Sequence, residues 1–446
     1  MGNDMYSEIL TQAERVKEII GKHMLADGFN IILDLKNSYR NKLVDERNGD
    51  EYIDFFTFFA SSPLGLNHPK LNSPEAREIF SNAAVNKPSN SDMYSVYMAE
   101  FVDAFSRIAK PDYMKYFFFV SGGALAVENG LKVAFDWKVQ KNFAKGIKEE
   151  KGHQVIHFKE AFHGRSGYTM SLTNTDPVKI KYFPKFDWPR ITNPKIIFPL
   201  ENNLNNIITI EKKAIVEIKS AIRNNPDDIA LIIIEPIQCE GGDNFFREEF
   251  FQELRNIADE NEILLMFDEV QTGFGMTGKF WASEHYVKPD IIAFGKKSQI
   301  CGIMVSDRID DVETNCFHVS SRINSTWGGN LVDMVRSRFI LEVIDEENLI
   351  ANSAVRGNYL LNRLNEMQNK FPVLVNQARG LGLLCSFDLP DTKSRNKFRE
   401  LCEKEKLLIL GCGDKSIRFR PPLNITDDEL EEGLQVIEKV LKLMST

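Results

Sequence analysis

Nowhere in this chain of 446 residues do two cysteines stand in a CxxC pair or at metal-ligand spacing. The six that occur, Cys239, Cys301, Cys316, Cys385, Cys402 and Cys412, are scattered and mostly flanked by apolar residues. Buried free thiols are the expectation, as in a reducing compartment. The seven histidines form no HExxH. His153 and His157 are four apart, but Val155-Ile156-His157-Phe158 reads as a strand, so they make no helical ligand pair, and no metal site is expected. A formal net charge of -9 argues against nucleic acid as the main partner, because phosphate contact needs a basic face. No apolar run approaches the ~20 residues of a membrane span. The start, Met1-Gly2-Asn3-Asp4-Met5-Tyr6, shows no charged-then-apolar leader, and Tyr6 breaks the myristoylation pattern. A cytoplasmic protein that binds neither membrane nor nucleic acid is expected.

Against these absences stands an ordinary globular composition, 43% hydrophobic and 27% charged, in a chain long enough for more than one domain. Residues 5–24 read as an amphipathic helix with Ile9, Leu10, Val16, Ile19 and Ile20 on one side. Asn48-Gly49-Asp50 reads as a turn between two short strands. From about 60 to 330 strands and helices alternate. Strands are expected at 117–120, 230–235 and 263–267, helices at 124–139 and 248–258. That alternation predicts a mostly parallel sheet with helices on both faces, an α/β fold. From 331 the pattern changes to longer helices, over 331–343, 353–370 and from Asp427, where Thr426 is the cap. A large domain over 60–330 is expected, with a smaller α+β domain over 331–446 completed by the N-terminal segment 1–59. The charged stretch 141–152 reads as a solvated loop.

Asp268 ends the apolar run Ile263-Leu264-Leu265-Met266-Phe267, and Lys296 ends Ile291-Ile292-Ala293-Phe294-Gly295. Each run reads as a buried parallel strand, and ligands of open α/β sheets sit outside the carboxyl ends of the strands. Singly, each residue is an ordinary strand-end polar group. Together, an acid and an amine delivered there match what pyridoxal phosphate requires: a lysine for its aldehyde and a carboxylate for its pyridine nitrogen. Ser121-Gly122-Gly123-Ala124 joins a strand to a helix and can turn its amides to an anion. In Ala161-Phe162-His163-Gly164-Arg165 an aromatic ring and an arginine follow a strand, suited to stacking on a planar group and clamping a carboxylate. Arg418-Phe419-Arg420-Pro421-Pro422 is a second anion candidate, in which one arginine can be purely structural. Gly273 to Phe280 fits GxxxxGK, but Phe280 stands where a phosphate loop needs Ser or Thr, so it is read as a decoy.

In this order, over nearly the whole chain from about Asp45, these pieces resemble the class III (ω-type) aminotransferases. The most specific are Phe267-Asp268-Glu269-Val270-Gln271-Thr272-Gly273, Pro289-Asp290 six residues before Lys296, and Thr326-Trp327-Gly328-Gly329-Asn330. The chain looks most like the branch that transfers the ε-amino group of lysine, by Gly122 to Asn129, Phe183 to Arg190, Gly295-Lys296-Lys297-Ser298-Gln299 and Asn324 to Trp327. It departs from the wider family after Lys296, where Lys297-Ser298-Gln299-Ile300-Cys301-Gly302 replaces a glycine-rich run.

The resemblance implies the fold type I scaffold of pyridoxal-phosphate-dependent transferases and a homodimer with shared active sites. It implies Lys296, not Lys297, as the Schiff-base lysine and proton carrier. Asp268 would pair with the pyridinium, Gln271 touch the ring hydroxyl, and the Gly123 and Ala124 amides hold the phosphate. Thr326 would reach the phosphate in the other subunit, and Phe162 would stack on the ring. Arg165 would clamp the carboxylate farthest from the cofactor. Arg418 would bind the carboxylate beside the reacting carbon, and Glu240 would neutralise Arg418 when that carboxylate is missing. The implied reaction is L-lysine plus 2-oxoglutarate to L-2-aminoadipate 6-semialdehyde plus L-glutamate. Ornithine, 4-aminobutyrate or diaminobutyrate transamination, racemisation, or a cofactor-free scaffold role are the alternatives.

Overall fold

The structure, a computed structural model, describes residues 12–445. The first part of the helix expected over 5–24 lies outside the described residues. The rest is a 3-10 turn, Ala13–Arg15, leading into the short helix Val16–Gly21, on which Ile19 and Ile20 are exposed. The turn at Asn48-Gly49 joins β1 (Lys42–Val44) to β2 (Glu51–Asp54) as an antiparallel hairpin. Gly49 takes φ 76° there, which glycine adopts without penalty.

Seven strands form the central sheet: β3 (Met114–Val120), β4 (Gln154–Phe158), β5 (Arg190–Ile191), β6 (Ile229–Ile234), β7 (Leu264–Asp268), β8 (Ile291–Phe294) and β9 (Cys301–Ser306). Their order is β3-β9-β8-β7-β6-β4-β5. Neighbours from β8 to β5 pair in parallel, whereas β9 runs antiparallel to both β8 and β3. The apolar runs are continuous because both faces are covered. Leu231 and Ile233 of β6 pack with Val127, Leu131 and Trp137 of the helix Gly123–Ala144. Ile232 and Ile234 meet Ile218 of the helix Leu200–Asn224 and Phe250, Leu254 and Ile257 of the helix Glu248–Glu260.

One local expectation is corrected. Residues 141–144 are not loop but the last turn of the helix Gly123–Ala144. Lys141 lies 3.4 Å from Glu262 and 3.3 Å from Asp311. The buried Asn142 donates its side-chain amide to the Lys151 and Asp227 carbonyls at 2.9 and 2.7 Å. Those contacts reward continued helix after the apolar stripe has ended.

Beyond the central sheet, β10 (Asn376–Leu381), β11 (Leu384–Asp388), β13 (Leu410–Cys412) and β14 (Ser416–Phe419) form an antiparallel sheet in the order β10-β11-β14-β13. The intervening β12 (Leu407–Leu408) pairs in parallel with β2, setting Leu407 beside Ile53. The helix Leu331–Glu346 rests Phe339 on Phe80, with ring centroids 5.4 Å apart. The last helix, Asp427–Ser445, opens with a reciprocal cap. The Glu429 amide donates to Thr426 Oγ1 at 3.3 Å, and the Thr426 amide donates to Glu429 Oε2 at 2.8 Å. Among the described residues no helix is long and apolar enough to cross a membrane, and no cluster of potential metal ligands occurs.

Candidate active site

The parallel strands β3, β4, β6, β7 and β8 end at one edge of the central sheet, and a cavity of about 330 Å³ opens there. Gly123, Ala124, Phe162, Arg165, Glu240, Asp268, Gln271 and Lys296 all line it. A larger hollow of about 660 Å³, bordered in part by His68, Arg77 and Arg336, holds none of them. Arg418 is not part of the lining but contacts two residues that are, Glu240 and Gln271. Thr326 does not line the cavity. It is exposed, and its backbone carbonyl accepts from Ser91 Oγ at 3.2 Å.

Asp268 is the last residue of β7 and is buried. Its Oδ1 accepts from the Val270 amide at 3.1 Å, and its Oδ2 lies 2.8 Å from Nδ1 of the buried His163. A carboxylate only accepts, so Nδ1 carries the hydrogen of this contact. The sequence reading gave His163 no role, although it stands between Phe162 and Arg165. Its only sequence signal was that position.

A second residue missed was Glu235, one position past β6, whose Oε1 accepts from the Phe162 amide at 2.8 Å. Burial, and then the negative charge of Asp268, push its carboxyl well above the usual range. That shift favours the neutral carboxyl, the form that does not repel Asp268.

β8 leads through Gly295 to Lys296, which lines the cavity from a left-handed backbone with φ 53°. Burial, and then the positive charge of Arg418, lower the pKa of Lys296, which favours the neutral amine. Lys297 is buried and points elsewhere: its Nζ donates to the Gln271 carbonyl at 2.6 Å. Burial, and then Lys296, push it down to about 7.

The two arginines of β14 and its exit differ in what holds them. Arg420 is buried and grips Asp243 with both terminal nitrogens, at 3.2 and 2.5 Å. Arg418 is also buried, but its Nη2 faces Glu240 Oε2 at 3.0 Å, and its Nη1 makes only a long contact, 3.4 Å, with Gln271 Oε1. The ring of Phe59 lies 5.7 Å from its guanidinium. Glu240 also receives Lys179, at 2.6 Å on Oε1. Burial alone would raise the Glu240 carboxyl, but Arg418 and Lys179 outweigh it and hold it below the usual range. Arg165 is exposed at the mouth. The GxxxxGK stretch forms no phosphate loop: the Gly278 amide is spent on the Gly275 carbonyl at 3.1 Å.

The family model for class III aminotransferases matches residues 26–441. The chain is a class III aminotransferase. It is 48% identical over 437 residues to the L-lysine-epsilon aminotransferase of Mycobacterium tuberculosis, covering 98% of this chain and 97% of that protein. It is 45% identical over 430 residues to that of Amycolatopsis lactamdurans, covering 95% of each. A solved structure of lysine aminotransferase from M. tuberculosis superposes with a TM-score of 0.95, over 97% of this chain and 100% of that one.

Aminotransferases of this class work with pyridoxal 5′-phosphate, and the site fits that group. The helix Gly123–Ala144 begins without any side-chain cap, so its first amides are open to an anion. The loop at Gly164 packs directly against this helix start. A side chain at Gly164, which takes φ 116°, would bring its Cβ within 2.5 Å of Ala124 Cβ. Asp268, oriented by His163, and Lys296 complete an acid and an amine on one cavity.

Proposed function

We propose that this class III aminotransferase is an L-lysine 6-aminotransferase, passing the ε-amino group of L-lysine to 2-oxoglutarate to give L-2-aminoadipate 6-semialdehyde and L-glutamate. The observation that carries this reading is the 3.0 Å contact of Glu240 with the buried Arg418. Lysine reacts at a carbon with no neighbouring carboxylate, so a bare arginine there would be an unpaired buried charge, costing several kcal/mol. Glutamate and 2-oxoglutarate bring a carboxylate that needs that same arginine. A glutamate that covers Arg418 for lysine and withdraws for the dicarboxylates lets one pocket serve both. The likeness to the lysine ε-aminotransferases supports the same substrate.

When bound, pyridoxal 5′-phosphate supplies an aldehyde that captures an amine and a ring that stores the electron pair left by a broken C–H bond. Lys296 Nζ would hold the group and then accept the proton from the substrate carbon and pass it on. Asp268, fixed by His163, would keep a proton on the pyridine nitrogen. The amides of Gly123 and Ala124 would hold the phosphate, Phe162 would cover the ring face, and Gln271 would meet the ring hydroxyl. Arg165 would take the remote carboxylate of either substrate.

The exposed Thr326 would serve the phosphate in a partner subunit, which makes the working unit a homodimer with shared sites. A cytoplasmic location is proposed with it. The division proposed is a large cofactor-binding domain over 60–330 and a small domain of 331–446 with 1–59. The β2–β12 pairing supports it, and the helix Leu331–Glu346 would act as the bridge between the two. The decisive experiment uses lysine carrying heavy nitrogen at one position. Label at the ε position should appear in glutamate. Transfer from the α position only would reject the assignment.

A further inference from the structure

The carboxylate that covers Arg418 has a second cation on its other side. Lys179 Nζ lies 2.6 Å from Glu240 Oε1, while Arg418 takes Oε2 at 3.0 Å. The lysine is set there by local structure. It ends the 3-10 turn Pro177–Lys179, whose start is fixed by Asp176 Oδ1 accepting from the Val178 amide at 2.9 Å. The Lys179 amide donates back to the Asp176 carbonyl at 3.1 Å. The ammonium also lies 5.3 Å from the centre of the Phe162 ring, beside the cavity itself.

Two oxygens with two separate cations have a consequence for the gate. Arg418 can leave Oε2 without disturbing the contact on Oε1. With Lys179 present, the open state contains two neutral pairs, Arg418 with the substrate carboxylate and Glu240 with Lys179. Without it, opening strands Glu240, whose side chain is only 26% exposed. A carboxylate that covered and without a partner opposes its own release. The closed state loses less, because Glu240 keeps Arg418.

We propose that Lys179 is a positioning residue that keeps Glu240 paired when Arg418 turns to a substrate carboxylate, and so favours the dicarboxylate half of the reaction. This rests on the gate described under Proposed function. Lys179 acts through Glu240 and touches no reacting atom.

The test is calorimetric titration of the cofactor-loaded enzyme with glutarate, a dicarboxylate without a transferable amine or a keto group, which needs the gate open. Lys179→Met should weaken glutarate binding about tenfold, the scale of one charge-assisted contact between partly exposed groups. Lys179→Arg should restore most of it. Glu240→Ala should bind glutarate at least as tightly as the parent, because no carboxylate competes for Arg418. In that background Lys179→Met should have no further effect, since no carboxylate remains to strand. Single-turnover rates should agree, with Lys179→Met shifting the balance of the half-reactions against glutamate and Glu240→Ala shifting it against lysine. Unchanged glutarate affinity in Lys179→Met, or an equal loss with and without Glu240, would overturn the proposal while leaving the gate intact. Weaker glutarate binding by Glu240→Ala alone would overturn the gate, and this proposal with it.

Discussion

Asp243 and Arg420 form the most deeply enclosed ion pair of the site region, and removing its negative half should be costly. Both side chains are essentially inaccessible, and two nitrogens of the guanidinium face the two carboxylate oxygens. Burial alone would lower the pKa of Arg420, but Asp243 outweighs it and raises it, so the arginine stays charged whatever the solvent pH. If the carboxylate is lost, Nη1 keeps the Phe419 carbonyl at 2.8 Å and Nε a long 3.4 Å contact with Gln271, while Nη2 loses its strong partner. An uncompensated buried charge of this kind costs about 3–5 kcal/mol. Asp243 also sits at φ 50°, a conformation that Asn tolerates and Ala does not. Asp243→Asn should therefore cost about 3 kcal/mol, because one acceptor survives. Asp243→Ala should cost about 1–2 kcal/mol more through backbone strain. Urea denaturation midpoints of the loaded enzyme measure both. Adding Arg420→Gln to Asp243→Asn should recover most of the loss, because no charge is then stranded. An Asp243→Asn variant within about 0.5 kcal/mol of the parent, the size of an ordinary surface substitution, would refute the reasoning.

Three further outcomes are expected. Borohydride reduction of the loaded enzyme followed by peptide mapping should place the pyridoxyl adduct on Lys296; an adduct on Lys297 would require that residue to leave its 2.6 Å contact with the Gln271 carbonyl. Dilution to monomers should release the cofactor, as followed by its absorbance, if Thr326 serves the neighbouring subunit; tight retention by a demonstrated monomer would reject the shared site. Asp54 is buried, and burial pushes its carboxyl up to about 6 despite amides donated by Phe56 and Thr57 at 2.9 and 2.7 Å. The folded state thus holds this proton more tightly than the unfolded chain, and the stability it contributes is present at low pH and lost as pH rises through about 6. The stability gap between the parent and Asp54→Asn should shift against the parent by about 1–3 kcal/mol from pH 4 to pH 7, and a pH-independent gap would show that Asp54 titrates normally.

The sequence by itself determined the elements and the strand ends. Apolar runs such as residues 263–267 and 291–295 are continuous because a sheet covered on both faces needs apolar side chains on both, and that demand is visible one residue at a time. The polar residue that stops each run marks where the strand leaves the core. Asp268, Lys296 and the glycines after β3 were legible as candidates for that reason. The charged end of the helix Gly123–Ala144 was not, because its apolar periodicity stops before the helix does.

Only the tertiary structure decided what those residues meet. An antiparallel β9 and a parallel one have the same composition when both are buried, so its direction could not be read from the pattern. His163 reaches Asp268 across 105 residues of chain, and Lys179 reaches Glu240 across 61. Neither separation leaves a period in the sequence. Arg418 and Arg420 are two residues apart in one motif, yet they are held differently because each meets a different carboxylate from the loop after β6. Local patterns record which side chains are buried. Which buried charge faces which is set by packing, since an ion pair out of water is tolerable only where the fold brings both halves together.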